Sequence, residues 1–578
     1  MALATTPSLE LDPILDALDP EQRAAATLPD GPAQIIAPAG SGKTTTMVAR
    51  LAVLLARGVA PERICVVTFN RDAAADLRAR VERRLGPSVP SATTIEIRTL
   101  HALARQVLLD AGEGRDLVAD RLPLLRAARR RLMAGDASVI MPEATTLDSW
   151  LSARKIEGRE PPPDTAPALA EYEDLLRARG AIDFDDMVVR AGDLIDTDPR
   201  LRRRWQSRFL HVCVDEFQDV DAAQLRLVRL LAAPEDNLFV VGDDDQTIYA
   251  WRLADVRRIL RFSSDYPNAR RVMLATNYRC PRTVIEASAR MVAINRERFA
   301  KPIRAPRAAP REGKAISAWS TTSADWPDAI ARFAAVEDRA GRSCCFLART
   351  RNELTPVLLS LVRAGVRHAT AVAPLVEAEP VVALVDLARS SDDPDHPFHV
   401  LRRQRAARGW DRSQPSADLL ADDDHAALDA LLGWATAFAT VGAFVSAYDR
   451  ARARIAALRD PDAPVELATV HASKGREWET VVLTGFEEDR IPNRRSLLDA
   501  DDPDRALEEE RRLAYVAVTR ATRQLILAFD PRRPSRFMRE MGFERAAQPA
   551  AATGSRRRRR GAGVSGSSTE PIPSTGRR

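Results

Sequence analysis

Ala37-Pro38-Ala39-Gly40-Ser41-Gly42-Lys43-Thr44 is the stretch on which the fold turns. It follows the apolar residues 34–36 and precedes a helical pattern over 45–57. A glycine-rich turn in that setting aims backbone N–H groups at a β-phosphate, and the helix N-terminus adds positive potential. Lys43 can then bridge β- and γ-oxygens, and Thr44 offers a hydroxyl to Mg²⁺. Ala37 stands where the strict pattern has its first glycine.

Working outward, Val212-Cys213-Val214-Asp215-Glu216-Phe217-Gln218-Asp219 is an apolar strand ending in two adjacent carboxylates. Asp215 is the candidate Mg²⁺ holder, directly or through water, and Glu216 the candidate general base for an attacking water. Side chains alternate along a strand, so both can serve one site only if the chain turns there. A third strand ends Val240-Val241-Gly242-Asp243-Asp244-Asp245-Gln246. Gln246 at that tip can sense a γ-phosphate, whereas Gly-Asp-Asp-Asp by itself reads as a turn.

Strands are expected at 34–37, 64–68, 212–214, 239–241 and 272–274, and in a second set at 345–347, 466–470, 481–484 and 525–529. Short β-branched runs separated by helices read as parallel strands buried on both faces. Two sets imply two doubly wound α/β sheets. Residues 102–195 and 378–463 read as helical insertions, the first with no strand and the second with one periodic run over 425–458. Beyond about 545 the composition turns to Ala, Gly, Ser, Pro and Arg, which does not order itself.

The 578 residues suffice for three to four domains. The net charge of +5 points to a polyanionic partner. Much of that excess sits in Arg556 to Arg560, a run equally read as a solvated end. Only five lysines occur (Lys43, Lys155, Lys301, Lys314, Lys474), so each is informative in an arginine-rich chain, and two fall inside motifs. Five scattered cysteines show no metal-ligand spacing, which predicts a reducing compartment, the cytoplasm. No apolar run is long enough to span a bilayer, and the acidic N-terminus does not read as a signal peptide.

These segments and their neighbours resemble superfamily 1 DNA helicases of the UvrD/Rep type, from about residue 18 to about 540. Leu18-Asp19-Pro20-Glu21-Gln22-Arg23 looks like the adenine-reading Q motif. Val67-Thr68-Phe69 and Arg98-Thr99-Leu100-His101 look like motifs Ia and Ib. Val241 to Arg252 is close to motif III, and Asn277-Tyr278-Arg279 looks like motif IV. Thr469-Val470-His471-Ala472-Ser473-Lys474-Gly475-Arg476-Glu477-Trp478 looks like motif V, and Glu508 to Ala521 like motif VI.

The resemblance implies an α/β fold with two RecA-like P-loop domains, each carrying a helical insertion subdomain. Domain 1A would cover 1–101 and 196–277, with 1B at 102–195. Domain 2A would cover 278–377 and 464–545, with a reduced 2B at 378–463 and a disordered basic tail at 546–578. It implies ATP with Mg²⁺, 3′-to-5′ movement on single-stranded DNA and at single-strand/duplex junctions, and a role in repair or recombination. No membrane is implied, and any loading protein is unknown. Arg279 and Arg520 would reach the γ-phosphate from the second domain, beside the catalytic set Lys43, Asp215, Glu216 and Gln246. Gln22 would face the base, Tyr278 stack on adenine and Glu477 bind ribose, with 37–44 and Thr45 as further nucleotide contacts. Phe69, His101, Tyr249, Trp251 and His471 would contact DNA, and Thr44 and Asp215 the metal.

Departures from the family pattern are Thr45 for an arginine, Asn70-Arg71-Asp72 after motif Ia, and Arg476 and Trp478 in motif V. The insertion at 378–463 is also short. That shortness keeps a second reading open, a DNA-stimulated ATPase that translocates without unwinding alone. A third, a module using ATP as a structural ligand, sits poorly with Glu216, Arg279 and Arg520 all present.

Overall fold

A computed structural model describes residues 11–135, 141–306, 315–323, 325–370, 375–391, 394–411 and 422–543. The arginine run and the tail expected at 546–578 lie outside the described residues. Two sheets of six parallel strands carry the chain. The first has the order β3-β2-β6-β7-β1-β8. Its strands are β1 (Ala33–Ile36), β2 (Ile64–Thr68), β3 (Glu96–Thr99), β6 (His211–Val214), β7 (Leu238–Gly242) and β8 (Arg270–Met273).

Successive side chains of these strands face opposite sides, so both faces need cover. Ile35 and Val66 pack under helices Lys43–Ala56 and Arg71–Leu85. Ile36 and Val67 pack under Leu100–Asp110, Phe184–Thr197 and Ala222–Ala232. The second sheet has the order β11-β12-β10-β13-β14-β9. Its strands are β9 (Ile316–Ser320), β10 (Cys344–Ala348), β11 (Ala369–Thr370), β12 (Val465–Thr469), β13 (Trp478–Thr484) and β14 (Ala521–Phe529). Helices Arg282–Val292 and Pro503–Val518 cover one face, and Trp326–Arg339 and Thr355–Ala364 the other.

Each of the nine expected strands overlaps a strand of these sheets. The sequence missed β3, β9 and β11, three of the four edges, because an edge strand is half exposed and carries no continuous apolar run. Two further expectations are corrected. Residues 102–195 do contain strand, a parallel pair of β4 (Asp116–Leu117) and β5 (Ala181–Ile182). The periodic run over 425–458 is two helices, Asp422–Ala435 and Val441–Leu458. The second starts where the Thr440 hydroxyl accepts the Ala443 N–H, a cap invisible to apolar periodicity.

Helices Leu122–Gly135, Ala144–Glu157 and Ala166–Ala178 enclose their own core around Leu125, Leu151 and Tyr172. Helices Glu379–Arg389 and Pro397–Ala407, with the pair from 422 to 458, enclose another around Leu384, Leu401 and Phe444. The five cysteines are buried and free. Among the described residues no helix is long and apolar enough to cross a membrane.

Candidate functional site

The loop after β1 starts in register with the sheet, the Ala37 N–H donating to the Gly242 carbonyl at 2.8 Å. It then turns through Gly40 and Gly42 with φ of 69° and 80°. Close approach demands glycine there as well. A Cβ on Gly42 would lie 2.5 Å from Gln22 Nε2, and one on Gly40 2.5 Å from Asn277 Oδ1. Lys43 opens helix Lys43–Ala56, and its Nζ donates to the Ala37 carbonyl at 3.1 Å. Ser41 Oγ is buried without a partner among the described residues. Free helix N–H groups, a lysine and an orphaned hydroxyl around one turn fit a phosphate group.

Gln22 is buried against this loop. Its Nε2 donates to the Ser41 carbonyl at 2.9 Å, and its Oε1 accepts the Asp19 N–H. Thr44 is half-buried and Thr45 exposed. Pro38 accepts the Ser41 N–H, and Ala39 packs into the core of the second sheet.

β6 ends at Val214, and Glu216 takes a left-handed conformation with φ 52° and ψ 44°. That residue supplies the turn that alternation requires, so both carboxylates can serve one side. Burial, with Glu216 alongside, raises the Asp215 carboxyl. Glu216 is also pushed up by burial, but Lys43 and Lys474 outweigh it and hold the group below the usual range. Gln218 Nε2 donates to Glu216 Oε2 at 2.5 Å, while Gln218 Oε1 accepts the Asp243 N–H at 3.0 Å. Gln246 Nε2 donates to Asp243 Oδ2 at 2.6 Å. The Asp215 carboxylate at the end of β6 and the Thr44 hydroxyl in the first turn of helix Lys43–Ala56 are oxygen donors of the kind a hard divalent cation takes.

Residues from the second sheet complete the same cleft. The Tyr278 N–H donates to the Gly40 carbonyl at 2.8 Å, and its hydroxyl to Asp19 Oδ2 at 2.7 Å. Arg279 Nε donates to Glu477 Oε2 at 2.6 Å. Arg520 Nη2 donates to Gln246 Oε1 at 3.2 Å. The expected nucleotide residues are thus brought together at one seam. The departures Arg476 and Trp478 occur together for a reason: Glu466 accepts both Arg476 Nη atoms at 2.5 Å and Trp478 Nε1 at 3.2 Å.

The aromatic residues form a second cluster on the same seam. Phe69 stacks on Tyr249 with centroids 4.7 Å apart and planes 20° apart. Trp251 and His471 each lie within 6.4 Å of Tyr249 and of one another. Trp251 is 60% exposed, so it is not a core residue. His101 stands apart from this stack and meets Phe184 edge-on. It lines, with Phe69, a narrow cleft that also reaches Asp215 and Glu216. Burial, with Arg349 and Lys474 nearby, pushes the His471 imidazole down to about 4, and burial lowers His101 too. Both rings are therefore neutral near pH 7 and suited to stacking and hydrogen bonding rather than to phosphate charge. Beside them a polar groove of ≈ 570 Å³ is walled by Arg71, Arg78 and Arg98.

Sequence reasoning missed one device. Asp243, Asp244 and Asp245 are fully buried, and Lys301 Nζ contacts all three. Arg298 grips Asp245 with two donors at 2.9 and 2.8 Å. The cue was the rarity of lysine: Lys155 likewise sits among Glu173, Asp183 and Asp186.

Family models match in two places. Residues 18–267 match the UvrD/REP helicase N-terminal domain, and 453–530 the UvrD-like helicase C-terminal domain. The ATP-dependent DNA helicase UvrD2 of Mycobacterium tuberculosis (strain ATCC 25618 / H37Rv) is 31% identical over 638 aligned positions, covering 96% of this chain and 85% of that protein. UvrD1 of the same strain is 28% identical, covering 89% and 82%. The PcrA helicase of Bacillus subtilis (strain 168) is 34% identical over 50% of this chain and 41% of its own. Matched at both ends by the two domain models and along nearly its whole length by a relative at 31% identity, the chain belongs to the UvrD/REP helicase family.

Proposed function

We propose that this chain is an ATP-dependent DNA helicase that moves 3′ to 5′ along single-stranded DNA, in repair or recombination. One observation carries the reading: the nucleotide cleft and the aromatic cluster are each built from both sheets across one seam. Tyr249 and Phe69 come from the first sheet's loops and His471 from the second's, while Gly40 and Gln246 on the first side bond to Tyr278 and Arg520 on the second. A change in seam width at one site must therefore be felt at the other.

In this reading Lys43, Gly40 and Gly42 cradle the phosphates, and Tyr278 and Gln22 border the base. Thr44 and Asp215 would hold Mg²⁺, which when bound neutralises phosphate charge. Glu216 takes the proton of the attacking water, and Arg279 and Arg520 close on the γ-phosphate. Glu477, which accepts the Arg279 Nε–H at 2.6 Å, would bind the ribose. The division into 1A, 1B, 2A and a reduced 2B at the boundaries given above belongs to the same proposal.

Base stacking contributes on the order of 1–3 kcal/mol per base and accepts any sequence, which suits a motor that must pass every base. Trp251→Ala is therefore expected to raise the DNA concentration for half-maximal ATPase stimulation about tenfold and to depress stimulated turnover more than basal turnover. Equal loss of both would mean a packing role.

The direct test compares ATPase, single-strand translocation and unwinding on 3′-tailed, 5′-tailed and blunt duplexes. Unwinding of the 3′-tailed substrate alone is the expected result, and preference for a 5′ tail would overturn the polarity. One observation favours a second reading, translocation without unwinding. The alignment to the M. tuberculosis UvrD2 is longer than this chain, so that relative carries segments with no counterpart here. Translocation on single strands with no unwinding of any tail would select it.

A further inference from the structure

Lys474 is one of five lysines in the chain, and so far it has entered only as a charge that, with Lys43, keeps Glu216 ionised. It lies on the turn after β12, three residues beyond His471. Ser473 fixes that turn, its Oγ donating to the Val470 carbonyl at 2.7 Å, and Gly475 with φ 84° lets the chain leave it. The Lys474 ammonium is buried, so its donors must all be used.

The groups that its Nζ contacts among the described residues come from the first sheet's loops. Nζ donates to Asp219 Oδ2 and, at 2.7 Å, to the Gln246 carbonyl, and lies 5.2 Å from the centre of the Tyr249 ring. Those three residues belong to three different tasks. Tyr249 is the middle of the aromatic stack. Gln246 takes the Arg520 guanidinium on its side chain. Asp219 is joined to Glu216, its N–H donating to the Glu216 carbonyl at 3.0 Å. Gln218, which binds the Glu216 carboxylate, also faces Asp219 Oδ2 at 3.5 Å.

We infer that Lys474 is a positioning residue that couples the DNA stack to the hydrolytic carboxylate. The inference rests on the motor reading above. A base seated on Tyr249 fixes that ring, and the ring is one wall of the ammonium's site. An ammonium held there keeps Asp219, and through it the Glu216 turn, in the seam-closed geometry. Without a base the ring is free to shift and the grip on Asp219 slackens. A tie that merely fastened the two sheets together would support turnover with and without DNA alike.

Asp219 is buried and paired with Lys474, and its Oδ1 has no partner among the described residues, so removing Lys474 alone leaves a buried carboxyl without its cation. Lys474→Met is therefore tested together with the double variant Lys474→Met/Asp219→Asn, which removes both charges. ATPase of the full chain is measured at saturating ATP with and without an oligo(dT) strand, and strand affinity by fluorescence anisotropy. Both variants are expected to lose about tenfold or more in the ratio of stimulated to basal turnover, with strand affinity changing far less. Stimulated and basal rates falling in proportion, or an unchanged ratio, would overturn the coupling role. A native chain that DNA does not stimulate would instead overturn the motor reading and this inference with it.

Discussion

Glu216→Gln should cut ATP turnover about 10²- to 10⁴-fold while nucleotide affinity stays within a few-fold of native. The expectation follows from what holds the carboxylate. Glu216 sits at a left-handed residue just past the strand end, a conformation that costs energy for any side chain with a Cβ. The cost is offset by aiming the carboxylate into the seam beside Asp215. Burial there favours the neutral acid, yet Lys43 and Lys474 keep it ionised, so it is a proton acceptor at neutral pH. Glutamine keeps the shape and can still accept the Gln218 amide through its own oxygen, so the turn survives. It cannot take a proton. Single-turnover hydrolysis with a fluorescent-nucleotide binding control separates the two effects. Near-native turnover in this variant would move the general base elsewhere.

The phosphate loop and the strand-plus-carboxylate pattern were legible because each is local: strand, turn and chemistry run on without a break, over 33–44 and 211–219. The central strands were legible for the same reason, since burial on both faces writes an apolar run into the sequence. The edge strand β3 was not, because Glu96 and Arg98 face one another along it and leave it polar. Nor was the fate of Asp243-Asp244-Asp245 legible. A turn and an ionic clamp share that tripeptide, and the residue that decides between them, Lys301, lies more than fifty positions downstream.

The candidate site shows the same division. The residue types and their order were read from motifs, but the partnerships between motifs were not. Arg279 and Glu477 are 198 positions apart and hydrogen bonded to one another. Tyr249 stacks against Phe69 across the loops of two strands, and His101 is separated from that stack by packing on Phe184. Nothing in spacing or periodicity reports such pairs, because they are set by strand order in the sheets. Strand order is itself fixed by crossovers too long for local pattern to register.

Arg520→Met should lower DNA-stimulated turnover about 10³- to 10⁵-fold and yet leave the nucleotide-free protein as stable as native or more so. Both halves follow from an imbalance in its surroundings. The guanidinium is 1% exposed, and its acceptors are the Val516 and Arg476 carbonyls, Gln246 Oε1 and Thr519 Oγ1, at 3.0 to 3.3 Å. All are neutral, and among the described residues no carboxylate pairs with it. Burial, with Arg279 alongside, pushes its pKa down to about 10. A folded-state pKa below the unfolded value means that at neutral pH, where the group is charged in both states, folding is opposed by carrying that charge inside. Buried ions lacking a counter-charge cost several kcal/mol as an order of magnitude. A charge buried at this expense is understood if an anion arrives later, and in the proposed mechanism the γ-phosphate would be that anion. Methionine fills the space without the charge. The decisive measurement is the thermal midpoint with and without a non-hydrolysable ATP analogue. The native chain should gain stability on binding, and the variant should lose most of that gain. A variant that melts well below native, and still gains as much from the analogue, would make Arg520 a packing residue and detach it from the chemistry.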